Sequence, residues 1–99
     1  MALTKDQIKH FKTIGHGLNP VVTIAQNGLS KNVQAEIDRA LADHELIKVK
    51  IAVDDREARK QFSQDVAANS SSELVQEIGK VALFFKASKK PSLKTSNVR

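Results

Sequence analysis

Three groups of side chains in this 99-residue sequence have the types and spacing to do chemistry, and in each the chemistry is the holding of an anion. The first is the turn Ala25-Gln26-Asn27-Gly28, which joins a short β-branched run to the start of a helical pattern. Backbone N–H groups at a helix start have no intrahelical partner and carry partial positive charge, so they favour a phosphate. Gly28 lets a backbone approach closely or take φ above zero, and Lys31 at the first helical position adds a full charge. A strand–turn–helix junction with a glycine also serves as plain turn chemistry, and the residues alone leave both readings open. The second group is Lys5, Lys9, Lys12 and His16, whose spacings of 4, 3 and 4 make one basic stripe along a helix. Such a stripe is often only a solvated face. Against that, Asp6 is the sole acid in the first 35 residues, whereas a solvated helix commonly mixes signs. The third is Lys48 and Lys50, alternate residues of a strand that project from one face about 7 Å apart. An ordinary polar sheet face is the competing reading.

Catalytic arrangements are poor. His10, His16 and His44 lack the HExxH spacing of a zinc helix. Ser70-Ser71-Ser72 has no GxSxG elbow around it, and no Walker or GxGxxG loop is present. Asp54-Asp55 reads as helix capping, with Glu57 completing the pattern from Asp54. The absence of cysteine excludes a disulfide framework, a thiolate zinc site and a cysteine nucleophile. The expectation is a protein that is not an enzyme and needs no cofactor or metal.

Composition sets the frame for these groups. A hydrophobic content of 40% and a charged content of 27% suit a globular domain, and the length suits one domain. No apolar run approaches the ~20 residues of a membrane span, and the opening MALTKDQIKH holds no signal-type apolar stretch. A soluble, cytoplasmic protein without a membrane partner is expected. The net charge of +5 points toward nucleic acid, but it is unevenly placed. The segment 88–99, SKKPSLKTSNVR, holds +4 of it in Lys89, Lys90, Lys94 and Arg99; the preceding 87 residues have 12 basic and 11 acidic side chains. A polyanion site on the body must therefore come from local clustering. With four Phe and no Trp or Tyr, base stacking on paired aromatics is not the expected mode.

The elements that position the three groups follow from periodicity. Thr4 and Gln7 form a capping box, with Leu3 and Ile8 at the staple positions. Ile8, Phe11, Ile14 and Leu18 then give a helical apolar stripe, which Gly15, Gly17, Asn19 and Pro20 bring to an end. Val21 to Ala25 reads as a strand covered on both faces. Ser30 caps a second helix with Val33, Ile37, Ala40 and Leu41 inward and the acidic Glu36, Asp38 and Asp43 outward. Leu46 to Val53 alternates as a strand, with Lys48 and Lys50 on one face. A third helix packs through Ala58, Phe62 and Val66, and Asn69 to Ser72 reads as a polar break after it. Leu74–Ile78 and Val81–Phe85 form a hairpin around Gly79-Lys80, a type II′ signal. The order α-β-α-β-α-β-β predicts an α/β domain over 1–87 with one four-stranded mixed sheet and packed helices. The basic segment 88–99 is too poor in apolar residues to fold and is expected to be disordered.

Several stretches then resemble a known family. LTKDQ at Leu3–Gln7, HGLNPVVTI at His16–Ile24, NGLS at Asn27–Ser30, EIDRAL at Glu36–Leu41, HELIKVKI at His44–Ile51 and VQEIGKVALFF at Val75–Phe85 are similar to the single-domain, YhbY-type members of the CRM (chloroplast RNA splicing and ribosome maturation) family. The likeness covers roughly residues 3–87. It implies an RNA-binding α/β domain, similar in fold to the C-terminal domain of translation initiation factor three. It also implies bacterial members that associate with precursors of the large ribosomal subunit. The RNA contacts of that family centre on a GxxG loop, which maps onto Ala25-Gln26-Asn27-Gly28. Here Ala25 replaces the first glycine and Gln26 stands where a lysine is usual, so the resemblance implies either a weaker contact through the loop or one that depends more on Lys31 and the first helix. The resulting expectation is a non-catalytic RNA-binding protein that assists large-subunit assembly by touching RNA phosphates, with ribosomal proteins as further partners. The alternative is a protein-binding adaptor on ribosomal particles, for which the acidic face of the second helix would serve.

Overall fold

The computed structural model describes residues 3–25, 28–90 and 93–98. Helix α1 spans Lys5–His16. It opens on the expected capping box: the Gln7 N–H donates to Thr4 Oγ1 at 3.1 Å, and the Thr4 N–H donates to Gln7 Oε1 at 2.9 Å. Strand β1 (Pro20–Ile24) follows, then α2 (Lys31–His44) capped by Ser30, whose hydroxyl accepts from the Val33 N–H. Strand β2 is Leu46–Ile51, α3 is Arg56–Ser70, and β3 (Glu73–Ile78) and β4 (Val81–Phe85) close the chain's regular structure. The β3–β4 loop is Gly79-Lys80, with Gly79 at φ +56.

The sheet order is β1-β2-β4-β3. β1 and β2 run parallel, and β4 is antiparallel to both of its neighbours. The third helix therefore returns the chain to a strand parallel to β2 but not beside it. The most apolar strand, with Ala82, Leu83 and Phe84 all buried, takes the place between them. Two cores result, one on each face. Val22, Ile24, Ile47, Val49, Ile51 and Phe84 pack against Ile37 and Leu41 of α2 and Val66 of α3. On the other face Leu46, Val75 and Leu83 pack against Phe11, Ile8, Ile14 and Leu18, and the Phe11 and Phe85 rings stack 4.5 Å apart.

Three local readings are corrected. β1 is buried on one face only, with Val21 46% exposed, because α1 packs mainly over β2 and β3. Asp55, not Asp54, caps α3 by accepting from the Glu57 N–H, while the Asp54 carboxylate is taken by Lys80 at 2.8 Å. The expected polar break at 69–72 begins later, since α3 runs on to Ser70 and ends on Ser71 in the left-handed region (φ 55).

The segment expected to be disordered also differs. Its described residues lie against the body around Glu45, which caps the C-terminal end of α2 at φ 64 and is fully buried. The Ser88 N–H and the Ser96 hydroxyl donate to the two Glu45 carboxylate oxygens, each at 2.9 Å. The Asn97 N–H donates to the His44 carbonyl, its side-chain amide donates to the Leu46 carbonyl, and Val98 joins the α1-side core. A count of apolar residues overlooks this arrangement because polar groups supply most of it.

Candidate nucleic-acid interface

α1 is amphipathic, so burying Phe11 and its apolar neighbours turns the basic stripe outward. Lys5, Lys9 and His16 are exposed and Lys12 is half-buried. The helix ends where Gly15 rests on Leu83, a contact so close that a side chain at position 15 would require Leu83 to shift. That approach brings His16 beside Lys48. The two line a cavity of about 230 Å³ together with Gly15, Gln76, Ile78, Val81 and Leu83. Lys50 continues the same face, in register with Thr23 on one side and Val81 on the other. The α1 stripe thus runs through His16 onto Lys48 and Lys50. Among the described residues none of these lysines is in an ion pair.

The loop 25–28 follows β1 at the end of the sheet where β2 reaches Ile51. Gln26 and Asn27 lie outside the described residues. Ala25 is exposed, and its carbonyl accepts from the Gly28 N–H at 2.9 Å. Gly28 sits at φ +89, and a Cβ there would stand 3.4 Å from the Phe62 ring of α3. The positive φ accounts for glycine at this position. The first turn of α2 carries no acid, unlike those of α1 and α3, so the partial positive charge of its N-terminus is not neutralised locally. Lys31 belongs to the α2 layer, in a shallow depression with Ser30, Gln34, Asp38 and Asn69. The structure therefore assembles His16, Lys48 and Lys50 on the α1 face and leaves Lys31 on the opposite layer, near the shared loop.

A second basic group escaped the sequence reasoning: Arg56, Arg59 and Lys60 line a cavity of about 570 Å³ with Glu57, Glu77 and Gly79. Its signs are mixed, and Arg59 is engaged by the backbone. The Arg59 guanidinium donates to the Val53 and Asp54 carbonyls at 2.8 Å each. The hydrogen bond and charge of Lys80 hold the Asp54 carboxyl below its ordinary range. This is cross-bracing between α3 and the hairpin. Gln76, Ile78 and Val81 were also missed as neighbours of Lys48, since their side chains reach that face only through the strand order. Among the described residues no three His, Asp or Glu side chains gather as metal ligands, and no helix is long and apolar enough to cross a membrane.

Fold and surface together define a small α/β domain with cations, unpaired among the described residues, running from a helix onto an open sheet face. The family model described as the CRS1 / YhbY (CRM) domain matches residues 3–86. A Pseudomonas aeruginosa protein named a probable RNA-binding protein is 51% identical over 98 residues, covering 99% of this chain and 94% of that one. An RNA-binding protein of Haemophilus influenzae is 37% identical over 92% of each chain. The Bacillus subtilis protein named probable RNA-binding protein YqeI is 31% identical, over 88% of this chain and 91% of its own. The solution structure of a Staphylococcus aureus protein superposes with a TM-score of 0.79 at 29% identity, covering 90% of this chain and 93% of that one. The chain belongs to the CRS1/YhbY (CRM) domain family. Its homologues are RNA-binding proteins of the YhbY type.

Proposed function

We propose that this chain is a non-catalytic, cytoplasmic RNA-binding protein that assists assembly of the large ribosomal subunit by contacting phosphates of precursor ribosomal RNA. The observation that carries the RNA contact is the cationic run, unpaired among the described residues, from Lys5, Lys9 and Lys12 through His16 to Lys48 and Lys50. The choice of RNA is supported by the family, through its likeness to members that associate with large-subunit precursors. The RNA strand lies along α1 and onto the sheet, and the 25–28 turn with Lys31 takes a phosphate at the start of α2. Lys89, Lys90 and Lys94, exposed on the docked segment, add attraction without register. Such contacts give affinity and position but little sequence reading.

The test is binding of single-stranded RNA across a salt series. With about four to six phosphate contacts, at about 0.7 each, log K should fall against log salt with a slope of about −3 to −4. A slope near zero would reject the electrostatic reading. The ribosomal part is tested by crosslinking in cells and mapping of the attached RNA, which should fall in large-subunit precursors. The second reading, a protein-binding adaptor, draws on the exposed Glu36, Asp38 and Asp43 of α2, of which Glu36 and Asp43 lie beside the open β1 edge. It predicts association with ribosomal particles that survives ribonuclease.

A further inference from the structure

The sheet face beneath α1 is only partly covered. With 12 residues the helix is about 18 Å long, and it lies over Leu46, Val75, Leu83 and Phe85 before ending at His16. Beyond it the same face presents Lys48 and Lys50 of β2, Val81 of β4 and Gln76 and Ile78 of β3, brought together by strand register. Ile78 is 59% exposed. The cavity of about 230 Å³ opens here, with an apolar floor of Ile78, Val81 and Leu83 and a polar rim of His16, Lys48 and Gln76.

Three properties select an occupant. The volume is below the ~300–1,000 Å³ that encloses drug-sized ligands, so the cavity suits a single flat ring system. None of its described lining residues is acidic, and His16, Lys48 and the neighbouring Lys50 can share one polyanionic strand. The Gln76 amide offers donors and an acceptor in one plane, which matches the mixed donor and acceptor edge of an unstacked base. An aliphatic floor can take the ring's face by dispersion and burial, less strongly than the aromatic platforms of other single-strand binders.

We propose that this cavity holds one unpaired nucleobase of an RNA strand whose adjacent phosphates lie on Lys48 and Lys50. The inference rests on the RNA-binding reading above and adds a requirement to it. Phosphate contacts accept any geometry that presents a backbone, whereas a seated base demands that the strand be unpaired at that point.

The experiment compares three probes on the full chain: a short single-stranded RNA of mixed sequence, an abasic ribose-phosphate strand of the same length, and the corresponding blunt duplex. Affinity is measured across salt, and methyl spectra are recorded for Ile78, Val81 and Leu83. The base-bearing single strand is expected to bind at least about fivefold more tightly than the abasic strand. It alone should shift the three methyl groups. The pair Ile78→Ser and Gln76→Ala, one exposed and one half-buried position, should erase the preference while leaving the salt slope unchanged. Equal affinity for base-bearing and abasic strands at a common steep slope overturns the base site and leaves the phosphate reading standing. So does a duplex that binds as tightly as the single strand, or a preference that survives the double substitution. Binding to none of the probes overturns the RNA reading itself, and this inference with it.

Discussion

The hydroxyl of Ser96 donates to Glu45 Oε1 at 2.9 Å across 51 positions of sequence, at a carboxylate that is fully buried. A buried carboxyl group needs its partners, and leaving one of its oxygens unsatisfied costs about 1–3 kcal/mol. Ser96→Ala should lower unfolding free energy by about that amount in a denaturant titration, and truncation after residue 87 by more, since it also removes the Ser88 N–H. Hydrogen exchange offers a second check. The Asn97 amide, bonded to the His44 carbonyl, should be protected. Exchange at the rate of an unfolded peptide would show that the segment does not stay docked.

Gly15 and Leu83 set the distance between α1 and the sheet. A Cβ at position 15 would come within 2.9 Å of Leu83 Cδ2 and closer still to Cδ1. Alanine favours a helix interior by about 1 kcal/mol over glycine, but overpacking costs about 1–3 kcal/mol. Leu83 is buried beside Phe11, Leu46 and Val75 and can yield only toward the cavity it lines. Gly15→Ala should therefore destabilise by about 1 kcal/mol net, read as a lower denaturant midpoint with an unchanged slope. A rise in midpoint would mean that Leu83 yields freely.

Charge placement gives a prediction about RNA. Lys9→Ala, Lys12→Ala and Lys48→Ala each remove a cation from the run that reaches the open sheet face. Each should flatten the salt slope by about 0.7 if it removes one phosphate contact. Lys60→Ala, in the cavity shared with Glu57 and Glu77, should leave both slope and affinity as they are. Filter binding or anisotropy at several salt concentrations measures this, and an equal loss at Lys60 would point to undirected attraction.

Asp54 supplies a pH signature. Its carboxyl is lowered from the ordinary 3.8, first by the Lys80 hydrogen bond and then by the Lys80 charge. A lowered folded-state value contributes stability above the unfolded value, and that contribution is lost as pH falls through the folded one. The effect should be small, because both side chains are largely in water. Carboxyl NMR should place the Asp54 midpoint below 3.8 in the native protein and move it upward in Lys80→Ala. An unchanged midpoint would mean that the 2.8 Å pair does not persist in solution.

The legible parts of the fold were those decided by neighbours in sequence. Thr4 and Gln7 announce α1, Ser30 announces α2, and the alternation through Ile47, Val49 and Ile51 separates β2 from its lysine face. What failed was decided by contacts remote in sequence. Asp54 and Asp55 both satisfy a capping pattern, and Lys80 settles which one caps by binding the other. Val21 to Ala25 reads as buried on both sides because periodicity cannot see that α1 packs mainly over β2 and β3. Much of the candidate site was named from spacing: Lys48 and Lys50 by alternation, and the α1 stripe by its steps of four and three. Their meeting through His16 was not, because it depends on Gly15 seating against a strand that comes 68 positions later. The base-sized cavity was invisible for the same reason.

Because β4 sits between β2 and β3, the strand that emerges last from a ribosome is the one in the middle. Until residues 81–85 have appeared, a growing chain holds the β1–β2 pair and a lone β3 segment with nothing to join them. Closure is therefore a single late event rather than a gradual accretion. A fragment that stops short of Val81 is not a smaller version of the domain but two unfinished pieces, exposed in the interval to strands from other chains.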